Sequence, residues 1–170
     1  ILEIDNKNIS ALNNLGNVYK NLKDYSSAEE NYKKAIVLDP TFINALVNYG
    51  SLKYELNDYG EAVELYKKAL HLNNEIPMAH YNLGLVYQAL GQFEDSKFHL
   101  HALSKIKPEI TAADKILSRF IKYKDGDPHI DVMENKLKKL NLNNSEKIDL
   151  FFSLGKAYED LKDFDKSFHY

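Results

Sequence analysis

The chain has 170 residues, no cysteine and a formal net charge of −3, which excludes disulfide frameworks, thiolate nucleophiles and Cys-based zinc sites and makes nucleic acid a poor partner. Its hydrophobic fraction of 44% suffices for a continuous core, yet no apolar run approaches the roughly 18 residues of a membrane span, and Ile1 opens no basic-then-apolar leader. A cytoplasmic protein without cofactor, metal or membrane contact is expected.

A repeat organises the sequence. The phrase Asn48-Tyr49-Gly50 recurs upstream as Asn14-Leu15-Gly16 and downstream as Asn82-Leu83-Gly84, so the three glycines fall 34 residues apart. A period of that size marks a supersecondary unit that cannot bury its apolar face alone. In this register Ile1-Leu2-Glu3-Ile4-Asp5 occupies the places later taken by Ala35-Ile36-Val37-Leu38-Asp39, so residues 1–8 are expected to be the end of a truncated repeat, and the chain is expected to stop inside another.

The first whole unit, 9–42, carries an apolar stripe at Leu12, Leu15, Gly16 and Tyr19, then a turn at Asp24-Tyr25-Ser26 and a second stripe at Ala28, Tyr32, Ala35 and Leu38 before Pro40. Both stripes have helical spacing, and the unit is predicted to be a helix hairpin. Gly16 sits in mid-helix, where it costs about 1 kcal/mol against Ala. Close approach of the paired helix is the expected reason, with Ala28 and Ala62 as the small facing residues. Units 43–76 and 77–110 repeat the pattern, with Lys53 where a Tyr is expected, Asn74 in place of Pro, and Ser96, Leu100 and Leu103 on the second helix of the latter.

Unit 111–147 is degenerate. Thr111 to Tyr123 is expected to form its first helix with Ser118 in the glycine slot. The turn Lys124-Asp125-Gly126-Asp127-Pro128 then offers Asp127 as N-cap and Pro128 as first helical residue, and Ile130, Met133, Leu137 and Leu140 carry the second stripe. Gly155 follows Ser118 by 37 residues, which places a three-residue insertion near Asn141-Leu142-Asn143-Asn144. The last unit, 148–170, restores the pattern with Leu154-Gly155, Tyr158, Asp163-Phe164 and Ser167.

Leu15, Gly16, Tyr19, Ala28, Tyr32, Ala35 and Pro40 stand at positions of the 34-residue unit that resemble the tetratricopeptide repeat (TPR) signature. The resemblance implies an all-α fold, a right-handed superhelical solenoid of stacked antiparallel hairpins whose first helices line a concave groove that binds other proteins. Truncated ends of such an array leave apolar faces uncovered, so self-association is a further expectation. Phe151 to His169, with Asp127-Pro128-His129, is also similar to the TPR region of bacterial TPR–sulfotransferase fusion proteins. That similarity implies a substrate-presenting arm of a larger transferase, sulfotransferase first and a glycosyl-type enzyme behind it. No Gly-rich phosphate loop occurs in the chain and no catalytic constellation is expected.

Asn14, Asn48 and Asn82 share one position of the unit, and a primary amide both donates and accepts, as an extended peptide backbone requires. Asn13 and Asn17 add polar groups beside them, while Tyr54, Met78, Tyr81 and Leu85 add apolar ones, so the expected ligand is an extended segment with one or two apolar anchors. The carboxylate-reading TPR domains place cations where Asn13, Met78 and Asn82 stand here, and a basic clamp is not expected. Other groups read as structural. His99 and His101 lie two apart and are expected on the surface, His80 in the core, and Lys136, Lys138 and Lys139 on a solvated helix face. Asp125, Asp127 and Asp131 lack the spacing of a calcium loop, and the many tyrosines sit at packing intervals.

Overall fold

A computed structural model describes residues 8–170, so the register assigned to Ile1–Asp5 lies outside the described residues. These form ten helices and, among themselves, no strand. The chain divides into two compact units, the first ending at Gln92 and the second comprising Phe93–Tyr170. No helix among the described residues is long and apolar enough to cross a membrane.

The first unit contains α1 (Ile9–Asn21), α2 (Tyr25–Leu38), α3 (Ile43–Glu55), α4 (Tyr59–Leu72) and α5 (Pro77–Ala89). Asp24 and Asp58 cap α2 and α4 by accepting from the backbone N–H of Ser27 and Glu61, and Pro77 opens α5. α1 and α3 each end in a six-residue loop in which the third residue past the helix bonds back five positions, Asp24 N–H to Tyr19 and Asp58 N–H to Lys53. This closure forces a left-handed residue between, at Lys23 and Asn57 with φ 60° and at Gly91 with φ 71° after α5.

Consecutive hairpins stack. α3 lies against both α1 and α2, and α5 against both α3 and α4. Ala28, Tyr32, Tyr49 and Leu52 fill one layer, and Leu46, Ala62, Tyr66, Ala69 and Leu83 the next. The repeated glycine has a different neighbour from the one expected. A Cβ on Gly16 would stand 2.5 Å from Tyr32 Cε1, and one on Gly50 2.7 Å from Tyr66 Cε1, so the buried tyrosine rings, rather than Ala28 and Ala62, require the glycine.

The second unit contains α6 (Phe93–Ile106), α7 (Ala112–Ser118), α8 (Pro128–Lys139), α9 (Asn144–Asp160) and α10 (Phe164–His169). α9 is its central element, touching α7, α8 and α10 around Ile130, Met133, Leu150, Leu154 and Tyr158. The helix expected over 111–123 stops at Ser118. Side chains from α9 capture the backbone that would have continued it: Asp160 accepts the Tyr123 N–H at 3.1 Å, and Lys156 donates to the Ile121 carbonyl at 2.8 Å. After α8, Asn143 and Glu146 form a reciprocal capping box, and α9 runs for 17 residues where α1, α3 and α5 have 13.

The glycine positions are separable by experiment. Gly50→Ala is expected to destabilise the chain by about 1–3 kcal/mol through overpacking against Tyr66, although Ala is the better helix former by about 1 kcal/mol. A Cβ on Gly155 first meets the Ser167 carbonyl at 3.6 Å, so Gly155→Ala should stabilise by up to about 1 kcal/mol. Urea midpoints of the two variants moving in the same direction would contradict the assignment.

Candidate functional site

The first helices of the first unit form one layer, and polar side chains tie it together. Asn48 Nδ2 donates to Asn13 Oδ1 at 2.9 Å, linking α3 to α1. Lys20 Nζ donates to Ser51 Oγ at 2.9 Å and pairs with Glu55 at 2.9 Å across the same two helices. The Tyr32 hydroxyl donates to Asn17 Oδ1 at 2.7 Å. The Tyr66 hydroxyl is buried and finds no partner in hydrogen-bonding geometry among the described residues, although the Asn82 side chain is close enough to act on its ionisation. Burial is the larger influence and pushes that phenol up.

These contacts sort the residues singled out in the sequence. Asn14 is exposed, and Asn48 and Asn82 are half-buried. Asn13 is buried and already holds Asn48, and Asn17 already holds a tyrosine. Of the apolar candidates, Tyr54 packs on Tyr59 with ring centroids 5.7 Å apart, Tyr81 and Leu85 are half-buried, and Met78 is 54% exposed.

Sequence reasoning missed a charged cluster beneath this layer. Lys53, buried where the repeat pattern calls for Tyr, reaches Glu61 at 2.8 Å and Glu29 at 3.1 Å. The Tyr49 hydroxyl stands 2.8 Å from Glu29 and 2.9 Å from Glu61, and Lys33 pairs with Glu29 at 2.6 Å. Lys33 first, then Lys53 and Tyr49, hold the Glu29 carboxyl at about 2 against the opposing effect of burial. The partners come from α2, α3 and α4, and each alone reads as an ordinary surface charge.

The second unit holds another cluster that the sequence did not announce. Asp114 is fully buried, with Oδ2 at 2.6 Å from Lys136 Nζ and Oδ1 at 3.0 Å from His129 Nε2. His129 Nδ1 lies 2.8 Å from the Tyr123 hydroxyl, and Lys136 also donates to Ser104 Oγ at 2.8 Å. Lys136 is therefore buried rather than part of a solvated lysine face, because Asp114 draws its ammonium inward. His99 is also buried, at 9% exposure, whereas His101 is exposed as expected. Both His129 nitrogens and both Asp114 oxygens are engaged within the protein, so the cluster acts as a brace between α7 and α8. Among the described residues no group of three or more His, Asp or Glu is disposed to hold a metal.

Family models match three stretches of the chain: a tetratricopeptide repeat at 9–42, a TPR repeat at 50–91 and a tetratricopeptide repeat again at 79–110. The chain is a member of the tetratricopeptide repeat family. Solved TPR structures share its fold. YrrB, described as a TPR protein with an unusual peptide-binding site, aligns with a TM-score of 0.72 at 20% identity over 97% of this chain and 84% of its own. The crystal structure of MamA aligns with a TM-score of 0.65 at 24% identity over 95% of this chain and 83% of its own. The first TPR of Spaghetti, bound to the HSP90 peptide SRMEEVD, aligns with a TM-score of 0.64 at 23% identity over 70% of this chain and 94% of its own. No curated protein sequence matches this TPR chain.

The charged cluster predicts acid sensitivity in a defined direction. Glu29 is held below its ordinary 4.5 at about 2, so its contribution is complete above about pH 4.5 and is lost as pH falls toward 2. Glu29→Gln should lower the urea midpoint at neutral pH and make its decline on acidification shallower than in the parent chain. Parallel pH profiles for the two proteins would remove Glu29 as the cause.

Proposed function

We propose that the first-helix layer of the first unit binds an extended peptide segment of a partner protein. Asn14, Asn48 and Asn82 form the amide ladder, and Tyr54, Met78, Tyr81 and Leu85 offer apolar contacts. The observation that carries this reading is unspent hydrogen-bonding capacity at a repeating register. Asn14 is exposed, Asn48 spends one N–H on Asn13 and keeps its carbonyl and second N–H, and Asn82 is half-buried at the same register. Asn13 and Asn17 belong to the same surface as positioning groups, aiming Asn48 and Tyr32.

Magnitudes say what the ligand must add. Three net hydrogen bonds of about 0.5–1.5 kcal/mol each fall short of the roughly 8 kcal/mol of a micromolar complex. Burying one or two apolar side chains at about 1.5–3 kcal/mol each supplies most of the remainder, so apolar anchors are required and not incidental. The peptide-bound Spaghetti TPR and the peptide-binding site named for YrrB support the class of ligand. The mode differs from carboxylate reading, because Lys20 of α1 is paired with Glu55 and Lys53 of α3 with Glu29 and Glu61. A cytoplasmic setting fits a chain without cysteine.

A second reading makes the array an arm of a larger transferase. The likeness to a Thermobaculum terrenum O-GlcNAc transferase mutant, at 26% identity with a TM-score of 0.64, covers 76% of this chain and 26% of that one, and supports a glycosyl-type parent. The sulfuryl-transfer version rests on the sequence resemblance alone. Self-association finds its support at the last helices, where Phe168 is 91% and Ile148 61% exposed.

Screening the chain against an array of extended peptides bearing one or two apolar residues tests the proposal. Asn14→Ala with Asn82→Ala should weaken the best binder about tenfold while leaving the melting temperature nearly unchanged. Unchanged binding with a large loss of stability would assign both amides to structure. The peptide SRMEEVD should not bind, and tight binding of it would contradict the proposed mode.

A further inference from the structure

The second helices α6 and α8 bound an open cleft of about 1010 Å³ that belongs wholly to the second unit. Lys97, His101, Ser104 and Lys105 line it from successive turns of α6, and Pro108 extends that wall beyond the helix. Pro128, Val132, Asn135, Lys136 and Lys139 line it from successive turns of α8. The α6 wall therefore runs for about two turns, or roughly 12 Å, and the α8 wall for about three, or roughly 16 Å.

The cleft has a rigid base. Lys136 bridges Ser104 of α6 to Asp114 of α7, and the His101 ring meets the His129 ring edge-on at 5.8 Å between centroids. Ile121, Val132 and Leu140 give its walls an apolar surface, while Lys97, Lys105 and Lys139 supply cations. The one carboxylate in the lining, Asp127, caps α8 by accepting the His129 N–H at 2.9 Å. Lys97 is matched by Glu94 at 2.8 Å, but Lys105 and Lys139 form no ion pair among the described residues. The lining thus combines apolar side chains with two lysines, Lys105 and Lys139, whose charge is uncompensated.

We infer that this cleft docks an acidic amphipathic helix of a partner protein. The walls are helices whose backbone groups are already bonded within the helix, and the lining holds a single side-chain amide, Asn135, in place of the repeating amide register that could bond an extended backbone. A helix carries its own backbone bonds and needs only an apolar stripe to meet Ile121, Val132 and Leu140, with carboxylates beside it to meet Lys105 and Lys139. A small anion would leave the apolar walls wet, and an uncharged helix would leave the lysines without partners. The site uses second helices of the second unit, so it stands independently of the peptide face on the first helices of the first.

Fluorescence anisotropy with the whole chain tests this against three labelled peptides of about four turns. One carries Leu at i, i+3, i+4 and i+7 with Glu elsewhere, one has the same composition with a central Pro, and one replaces Glu by Lys. The acidic helical peptide should bind saturably and more weakly as salt rises, and the other two should not. Lys105→Glu with Lys139→Glu should weaken binding by about tenfold or more, whereas Asn14→Ala with Asn82→Ala should leave it unchanged. Both lysines are exposed, so the double variant should melt like the parent; if it does not, Lys105→Gln alone must show the same direction of effect. Absence of saturable binding, equal binding of the Pro-containing peptide, or indifference to both lysine variants would overturn the inference.

Discussion

A tyrosine ring pressed onto a glycine sets the geometry of the first two hairpins. Tyr32 meets Gly16 and Tyr66 meets Gly50 so closely that a methyl group in either place would overlap the ring. The contact fixes how near the second helix comes to the first, and with it the stacking of the next hairpin on both. It also carries the two phenol hydroxyls through to the first-helix layer. Tyr32 reaches Asn17 there, and Tyr66 arrives beside Asn82 without a bond of its own. The packing that builds the array thus also delivers the polar groups of its candidate binding face.

Charge clusters hold the places where the apolar pattern lapses. Lys53 replaces an expected Tyr, and Glu29, Glu61 and Tyr49 close around it. In the degenerate repeat α7 has seven residues, too few to stack as α1 or α3 does, and the Asp114, His129 and Lys136 network ties it to α8 instead. Such pairs contribute less net stability than apolar packing of equal volume, because both ions give up water. Their geometry is demanding, however, and in the second unit it holds α6 and α8 as the two walls of a cleft.

The period of 34 residues, the hairpins and most of the buried positions could be read from sequence because they are local: glycine spacing, apolar stripes, aspartate caps and Pro128 each act within a few residues. What sequence could not show depends on partners brought together by folding. The early end of α7 is caused by Asp160 and Lys156, more than 30 positions away. Lys23 and Asn57 adopt the left-handed conformation for which only Gly91 advertised itself. At the candidate face, the register of Asn14, Asn48 and Asn82 was visible, but the bond that makes Asn13 a support for Asn48 joins residues that looked equivalent as ligands. The burial of Lys136 was hidden for the same reason, since Asp114 carries no sequence mark as its partner.

The proposed binding face on the first helices is tested most directly by following the asparagine side-chain amide resonances of the isotope-labelled chain while adding the best extended peptide from an array. Those of Asn14, Asn48 and Asn82 should shift together and saturate with one binding constant, while those of Asn141 and Asn143, in the connector after α8, stay in place. Saturable binding that leaves the three ladder amides unmoved would contradict a peptide site on that face.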